Sequence, residues 1–181
     1  MQEQMLVLVD EKNQPLGVME KMEVHQKALL HRAFSVFIFN SKGEMLLQRR
    51  AIKKYHSGGL WTNACCSHPY LDETPVQAAQ RRMQEELGFV TDLEPAFDFI
   101  YKAQLDNDLT EHEYDHVLIG VFDGKIEPNE DEVGDYRYLA MDELKASVAE
   151  RPLLYTEWFK IALPLLETHF SEKKYSFHGK G

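Results

Sequence analysis

The sequence predicts an α+β fold in which a mixed β-sheet is held between α-helices. Runs rich in Val, Ile, Phe and Tyr dominate the middle of the chain, and helical spacing of apolar residues is confined to a few stretches among and after them. No internal repeat, low-complexity tract or interdomain linker breaks the chain. A length of 181 residues suits one domain with a substantial core. Residues 1–181 are therefore expected to form a single domain, with 172–181 as a frayed polar tail.

Met5–Val9 reads as a strand that turns through 10–15 and returns over 16–20. Residues 21–32 carry His25 and His31 without a clear period, and a lone histidine in such a segment is most often a surface or capping side chain. Residues 33–39 are almost continuously apolar and predict a central strand, joined by the turn 40–43 to a return strand over 44–50, a hairpin. Thr74 and Pro75 supply an N-cap and a first helical residue, and Gly88 a stop. Between them Val76, Ala79, Met83 and Leu87 recur at helical spacing as the buried face, leaving Arg81, Arg82, Glu85 and Glu86 on the other side. Residues 96–105 and 113–122 read as two further strands, whose period of two places Glu111, Glu113 and Asp115 on one face and His112, Tyr114 and His116 on the other. A loop over 127–132, a short strand over 135–139 and a helix over Met141–Glu150 follow. A last helix spans 153–170, with Pro164 expected to kink or interrupt it.

The balance of 20 Lys+Arg against 30 Asp+Glu, a formal charge of -10, argues against non-specific binding to nucleic acid or to an anionic membrane surface. An anionic substrate remains possible where the basic residues cluster, and Arg49, Arg50, Lys53 and Lys54 do so. They suit either a solvated loop or a diphosphate clamp, because Arg offers a planar fork to phosphate oxygens and Lys a point charge. No apolar run approaches the ~20 residues of a spanning helix, and the N-terminus lacks the basic stretch of a secretory signal. The only two cysteines, Cys65 and Cys66, are adjacent and cannot close an ordinary disulfide without strain. Unpaired thiols fit a reducing compartment, so the expected location is the cytoplasm.

The chemistry concentrates in residues 61–88, WTNACCSHPYLDETPVQAAQRRMQEELG. The spacing of Glu73, Arg81, Glu85, Glu86 and Gly88 resembles the Nudix box, with two departures: Ser67 stands at its opening glycine and Arg82 at the glutamate that follows its arginine. Nudix hydrolases use those helix glutamates to hold a divalent metal that activates water at a phosphate, and Arg82 puts a positive charge among them. Together with Trp-Thr-Asn-x-x-Cys-x-His-Pro around Cys66 and His68, and with Glu111-His112-Glu113, the chain resembles the type I isopentenyl-diphosphate isomerases, non-hydrolytic members of the Nudix superfamily, over roughly residues 5 to 160.

That resemblance implies a Nudix-type fold and the interconversion of isopentenyl and dimethylallyl diphosphate for isoprenoid synthesis. It implies Cys66 and Glu113 as an acid and base pair, Tyr101 as proton-transfer partner of the glutamate, and Trp158 facing a tertiary carbocation. It assigns His25, His31, His68, Glu111 and Glu113 to one divalent metal, Mn, Zn or Mg, and Glu86 to a Mg²⁺ that bridges the substrate diphosphate. Lys21, Arg50, Lys54 and Arg82 match the family's phosphate contacts. The implied partner is a small isoprenoid diphosphate, with neither nucleic acid nor membrane. Two other readings compete: a Nudix hydrolase of a nucleoside diphosphate derivative, and a catalytically silent Nudix-like binding module.

Overall fold

The computed structural model describes residues 4–173. Its strands, numbered in chain order, are β1 (Met5–Val9), β2 (Pro15–Glu20), β3 (His31–Phe39), β4 (Met45–Arg50), β5 (Trp61–Thr62), β6 (Cys65–Ser67), β7 (Leu93–Gln104), β8 (Thr110–Val121) and β9 (Val133–Leu139). The helices are α1 (Lys21–Gln26), α2 (Pro75–Leu87), α3 (Met141–Glu150) and α4 (Glu157–Lys173), with a 3-10 turn at Pro152–Leu154.

Strand β3 is the spine. It runs parallel to β8 along its full length, from His31 opposite Glu113 to Phe39 opposite Val121, and antiparallel to the short β6 on its other side. Alternation then splits its side chains between two cores. Phe37 and Phe39, with Met45 and Leu47 of β4, pack under α3 and α4; Phe34, Val36 and Ile38, with Leu46, pack under α2. A strand covered on both faces has no polar side, which is why its sequence reads as an unbroken apolar run. The expected mixed sheet between helices is thus present.

The 33–50 hairpin is only partly realised. Its turn stands, but β3 and β4 pair at Phe39 and Met45 alone, after which β4 diverges to pair with β9 from Met45 to Arg50. The central strand prefers β8 and β6, whose apolar residues fill the same two cores.

The segment without a period contains helix α1, capped by the Glu20 carboxylate on the N–H groups of Met22 and Glu23. Six residues are too few to display a helical period. Helix α2 has the expected ends: Thr74 and Gln77 form a reciprocal capping box, and Gly88 closes the helix at φ 74°. Glu86, however, is buried, packed inward on Gln48 of β4 and bonded by a half-buried Arg82, so that only Glu85 of the four charged residues is exposed. β7 and β8 are longer than the expected 96–105 and 113–122.

The last helix begins at Glu157, not 153, because Pro152 and the residues after it form the 3-10 turn. It continues through Pro164, where a proline removes one intrahelical hydrogen bond without ending a helix already packed by Phe159, Ala162, Leu163 and Leu166. Residues 171–173 continue this helix, and 174–181, the rest of the expected tail, lie outside the described residues. Among the described residues no helix is long and apolar enough to cross a membrane.

Candidate active site

One cavity of about 160 Å³ opens at the end of the sheet where β3 begins and β6 and β8 flank it. Lys21, Arg50, Lys54, Cys66, His68, Arg82, Tyr101, Glu111, Glu113 and Trp158 all line it. Beside it His25, His31, His68 and Glu113 bring one ligand atom each within 4.8 Å of one another, all four buried.

The imidazoles are held in a particular tautomer by the backbone. His25 Nδ1 lies 2.7 Å from the Lys21 carbonyl and His31 Nδ1 2.9 Å from the Leu29 carbonyl, contacts that only a ring N–H can make. Each ring therefore turns a bare Nε2 lone pair inward. His25 Nε2 has no hydrogen-bond partner although it is buried, while His31 Nε2 stands 3.3 Å from His68 Nε2 and 3.6 Å from Glu113 Oε1. Converging imidazoles and a carboxylate, with the second nitrogens of His25 and His31 tied to carbonyls, suit a divalent cation. The ionisation states agree. Burial lowers the pKa of His25, and that of His68 to about 3, keeping both neutral. Burial pushes Glu113 upward, but its contacts with the imidazoles of His31 and His68 outweigh it and hold the carboxyl below its usual range.

Glu111 stands apart from this group. Tyr101, opposite Glu113 across the β7–β8 ladder, places its hydroxyl 2.7 Å from Glu113 Oε2 and 2.8 Å from Glu111 Oε2. One phenolic proton cannot serve two carboxylates, and Glu111 is the one whose pKa rises, through burial and the charge of Glu113.

Cys66 enters from the other flank of β3, opposite Ser35. Its Sγ is 3.1 Å from Asn63 Oδ1 and 3.4 Å from Ser35 Oγ. Asn63 is oriented by its own amide, which donates to the carbonyls of Val36 and Cys65, so its oxygen faces the thiol. The Ser35 proton goes to Asp115 Oδ2 at 2.6 Å. Both neighbours thus accept, and burial together with the Asp115 charge raises the Cys66 pKa, so the resting group is a thiol. Cys65 points the opposite way, into the core under α2, and both cysteines are free.

The cations come from four segments and meet at one end of the cavity. Lys21 Nζ bonds Gln4 Oε1 at 3.1 Å and lies 4.8 Å from the centre of the Tyr55 ring. The Arg50 guanidinium stacks 5.2 Å over Trp158 and donates to the His56 carbonyl at 3.2 Å. Arg82 holds Glu85 and Glu86, each at 2.6 Å. Glu86 itself does not reach the cavity wall; its second oxygen accepts from Gln48 at 2.9 Å. Trp158 is both 3% exposed core and cavity wall.

Four lining residues escaped the sequence reading, Gln4, Tyr55, His56 and Glu132, and Ser67 figured in it only at the position of the Nudix glycine. Tyr55 and His56 follow directly on the basic cluster, a usable signal; Glu132 lies in an acidic stretch that reads as ordinary loop. Asn63 was visible only as part of the motif around Cys66. Asp115 had already been placed on the Glu111 and Glu113 face by strand period, and its burial with Ser35 is new.

Lys21 gives a pH test. Burial, then the charges of Lys54, Arg50 and Arg82, lowers its pKa to about 8. It is charged below that value and loses its charge as pH rises through it, and a bound anion favours the charged form. Affinity for a saturated alkyl diphosphate is therefore expected to fall above pH 8, with proton uptake on binding. In Lys21→Met, binding should be weaker and that inflection gone. An unchanged inflection in the variant would assign it to another group.

The sheet, the helix layers and the position of α2 define a class, the NUDIX domain, whose family model matches residues 29–159. Solved structures similar in fold include a MutT protein from Methanosarcina mazei, with a TM-score of 0.64 at 18% identity, covering 81% of this chain and 96% of that one. A Nudix hydrolase from M. smegmatis gives 0.56 at 18% identity, covering 92% and 94%. Closer in sequence are isopentenyl-diphosphate Delta-isomerase 2 of Photorhabdus laumondii and the isopentenyl-diphosphate Delta-isomerase of Pectobacterium atrosepticum. The first is 51% identical over 158 residues, 87% of this chain and 89% of that protein; the second is 48% identical over 169 residues, 93% and 94%. This chain belongs to the isopentenyl-diphosphate Delta-isomerase family.

Proposed function

We propose that this chain interconverts isopentenyl diphosphate and dimethylallyl diphosphate, and that Cys66 and Glu113 carry the two proton transfers. The observation that carries the reading is the cavity itself: a thiol and a carboxylate enter it from strands on opposite flanks of β3, with four cations and an aromatic wall around the same space. The isomerisation adds a proton at the terminal alkene carbon and removes one from the allylic carbon on the other side, through a tertiary carbocation, with no net change in protons. An acid and a base on opposite sides of a flat apolar group, with water excluded, meet that requirement. Tyr101 links Glu113 to Glu111 and gives the carboxylate a route to gain or lose its proton. Lys21, Arg50, Lys54 and Arg82 hold the diphosphate away from the reacting carbons.

His25, His31, His68 and Glu113, joined by Glu111 in our reading, would hold a divalent cation, Mn, Zn or Mg, whose charge would supply orientation and basicity tuning at Glu113. Glu86 would hold a Mg²⁺ carried with the diphosphate, giving up its pairing with Arg82 to do so. In this reading one domain performs the whole reaction, and the unpaired thiols are in keeping with a reducing compartment such as the cytoplasm. The hydrolase alternative needs a full cluster of helix carboxylates around its metal, and Arg82 stands where one of them would be. Incubation with isopentenyl diphosphate and Mg²⁺ decides: the allylic isomer supports the proposal, released phosphate a hydrolase, and neither product a silent binding module.

Trp158 supplies a second test. Its ring attracts a cation more than a neutral alkene, so its contribution is selective for the transition state, on the order of 2 kcal/mol when desolvated. Trp158→Leu should slow turnover about thirtyfold and Trp158→Phe much less, with substrate affinity changing less than turnover in both. An ammonium analogue of the carbocation should lose its advantage over a neutral analogue in Trp158→Leu. A lower melting temperature with turnover and analogue preference intact would make Trp158 core alone.

A further inference from the structure

Glu132 has no part in the chemistry above, yet its carboxylate sits in the cavity. It is ion-paired with Lys54, and its Oε2 lies 3.5 Å from Arg82 Nη2, the nitrogen that also holds Glu86. Its backbone is fixed on both sides: Glu132 N–H donates to the Asn129 carbonyl at 2.9 Å, and its carbonyl accepts from Ala51 N–H at 3.0 Å, one turn before Lys54. The same loop is tied to α2, through Asn129 N–H on the Glu86 carbonyl at 2.9 Å and Glu127 N–H on the Leu87 carbonyl at 3.0 Å. The carboxylate is thus presented between two cations by an anchored backbone, with only the side chain left to move.

We propose that Glu132 is an internal counter-anion that occupies the seat of a phosphate oxygen between Lys54 and Arg82 and yields it to a diphosphate. This rests on reading the cavity as the diphosphate site. Four cations converging on one small cavity repel one another, and a carboxylate among them offsets that cost while no substrate is bound. An entering anion must displace it, and the contest sets specificity. A single phosphate exchanges one anion for another at Lys54 and Arg82. A diphosphate reaches Arg50 and Lys21 as well, contacts the carboxylate does not make, and so replaces it with a net gain. Glu132 therefore acts as a filter against monophosphates.

The test is calorimetric titration of pyrophosphate and of orthophosphate into the full chain in metal-free buffer, comparing Glu132→Gln with Glu130→Gln, a neighbouring carboxylate outside the cavity lining. Glu132→Gln is expected to tighten pyrophosphate about tenfold and orthophosphate by more, narrowing the preference, while Glu130→Gln changes either less than about twofold. Glu132→Asp, which keeps the charge but draws it back by one methylene, should tighten both to a smaller degree and covers the case in which Glu132→Gln fails to fold. Unchanged or weaker pyrophosphate binding in both Glu132 variants, or equal tightening in Glu130→Gln, overturns the counter-anion role and leaves the diphosphate site standing. Absence of pyrophosphate binding in the unaltered protein and the Glu132 variants alike overturns the diphosphate site, and this proposal with it.

Discussion

Cys66→Ala is expected to lose at least ~10³-fold in turnover, whereas Cys65→Ala keeps most of it, although the two residues are neighbours in sequence. The reason is strand alternation on β6. Cys66 lines the cavity with its sulfur between Asn63 and Ser35, while Cys65 is fully buried in the core beneath α2. Removing the first takes away a proton carrier. Removing the second leaves a small void, costing stability of about 1 kcal/mol and little else. Conversion of isopentenyl diphosphate measures the first effect and thermal melting the second. In deuterated water the unaltered protein should carry label into the allylic product, because the proton gained is not the one lost, and Cys66→Ala should not. Were Cys65→Ala the inactive variant, the acid and base pair would have to be reassigned.

Glu113→Gln should be as damaging, for two separable reasons. The amide removes the one carboxylate of the four-residue group, and it breaks the acceptor to which the Tyr101 hydroxyl is bonded. Turnover is expected to fall at least ~10³-fold and bound metal, by elemental analysis, to fall with it. Tyr101→Phe should separate the two, retaining metal while slowing turnover, because the phenol touches the carboxylates and none of the imidazoles among the contacts described. His68→Ala should do the reverse in emphasis, lowering metal content first and turnover through it. Full metal occupancy in both Glu113→Gln and His68→Ala would remove the metal from this cluster.

The local elements were largely readable because their signals are local. Thr74, Pro75 and Gly88 mark the ends of α2 by backbone chemistry that needs no tertiary contact, and alternation along β8 places Glu111, Glu113 and Asp115 on one face whatever lies against it. Residues 33–39 had to be central because Ser35 is the one polar residue among them, leaving neither face suited to water. Failure came where length or partner choice decided. Helix α1 is too short for a period, and β4 leaves β3 after one pair because β9 offers it a longer ladder. Glu86 has the spacing of an exposed helix residue and is buried only because Gln48 reaches across from β4.

By itself the sequence determined the residue types, the strand and helix periods and the motif around Cys66 and His68, since each depends on neighbours along the chain. Only the tertiary structure decided that His25, His31, His68 and Glu113 converge, because they come from a short helix, strands β3 and β8 and the residue just after β6, whose register is set by packing on both faces of β3. It likewise decided that His25 and His31 turn Nε2 inward and that His25 and His68 are neutral, since the carbonyls of Lys21 and Leu29 that hold the first pair, and the burial that discharges the second, exist only in the folded chain. The seating of Glu132 between Lys54 and Arg82 belongs to the same class: an acidic loop residue in the sequence becomes a cavity group when its turn is anchored on Ala51 and on helix α2.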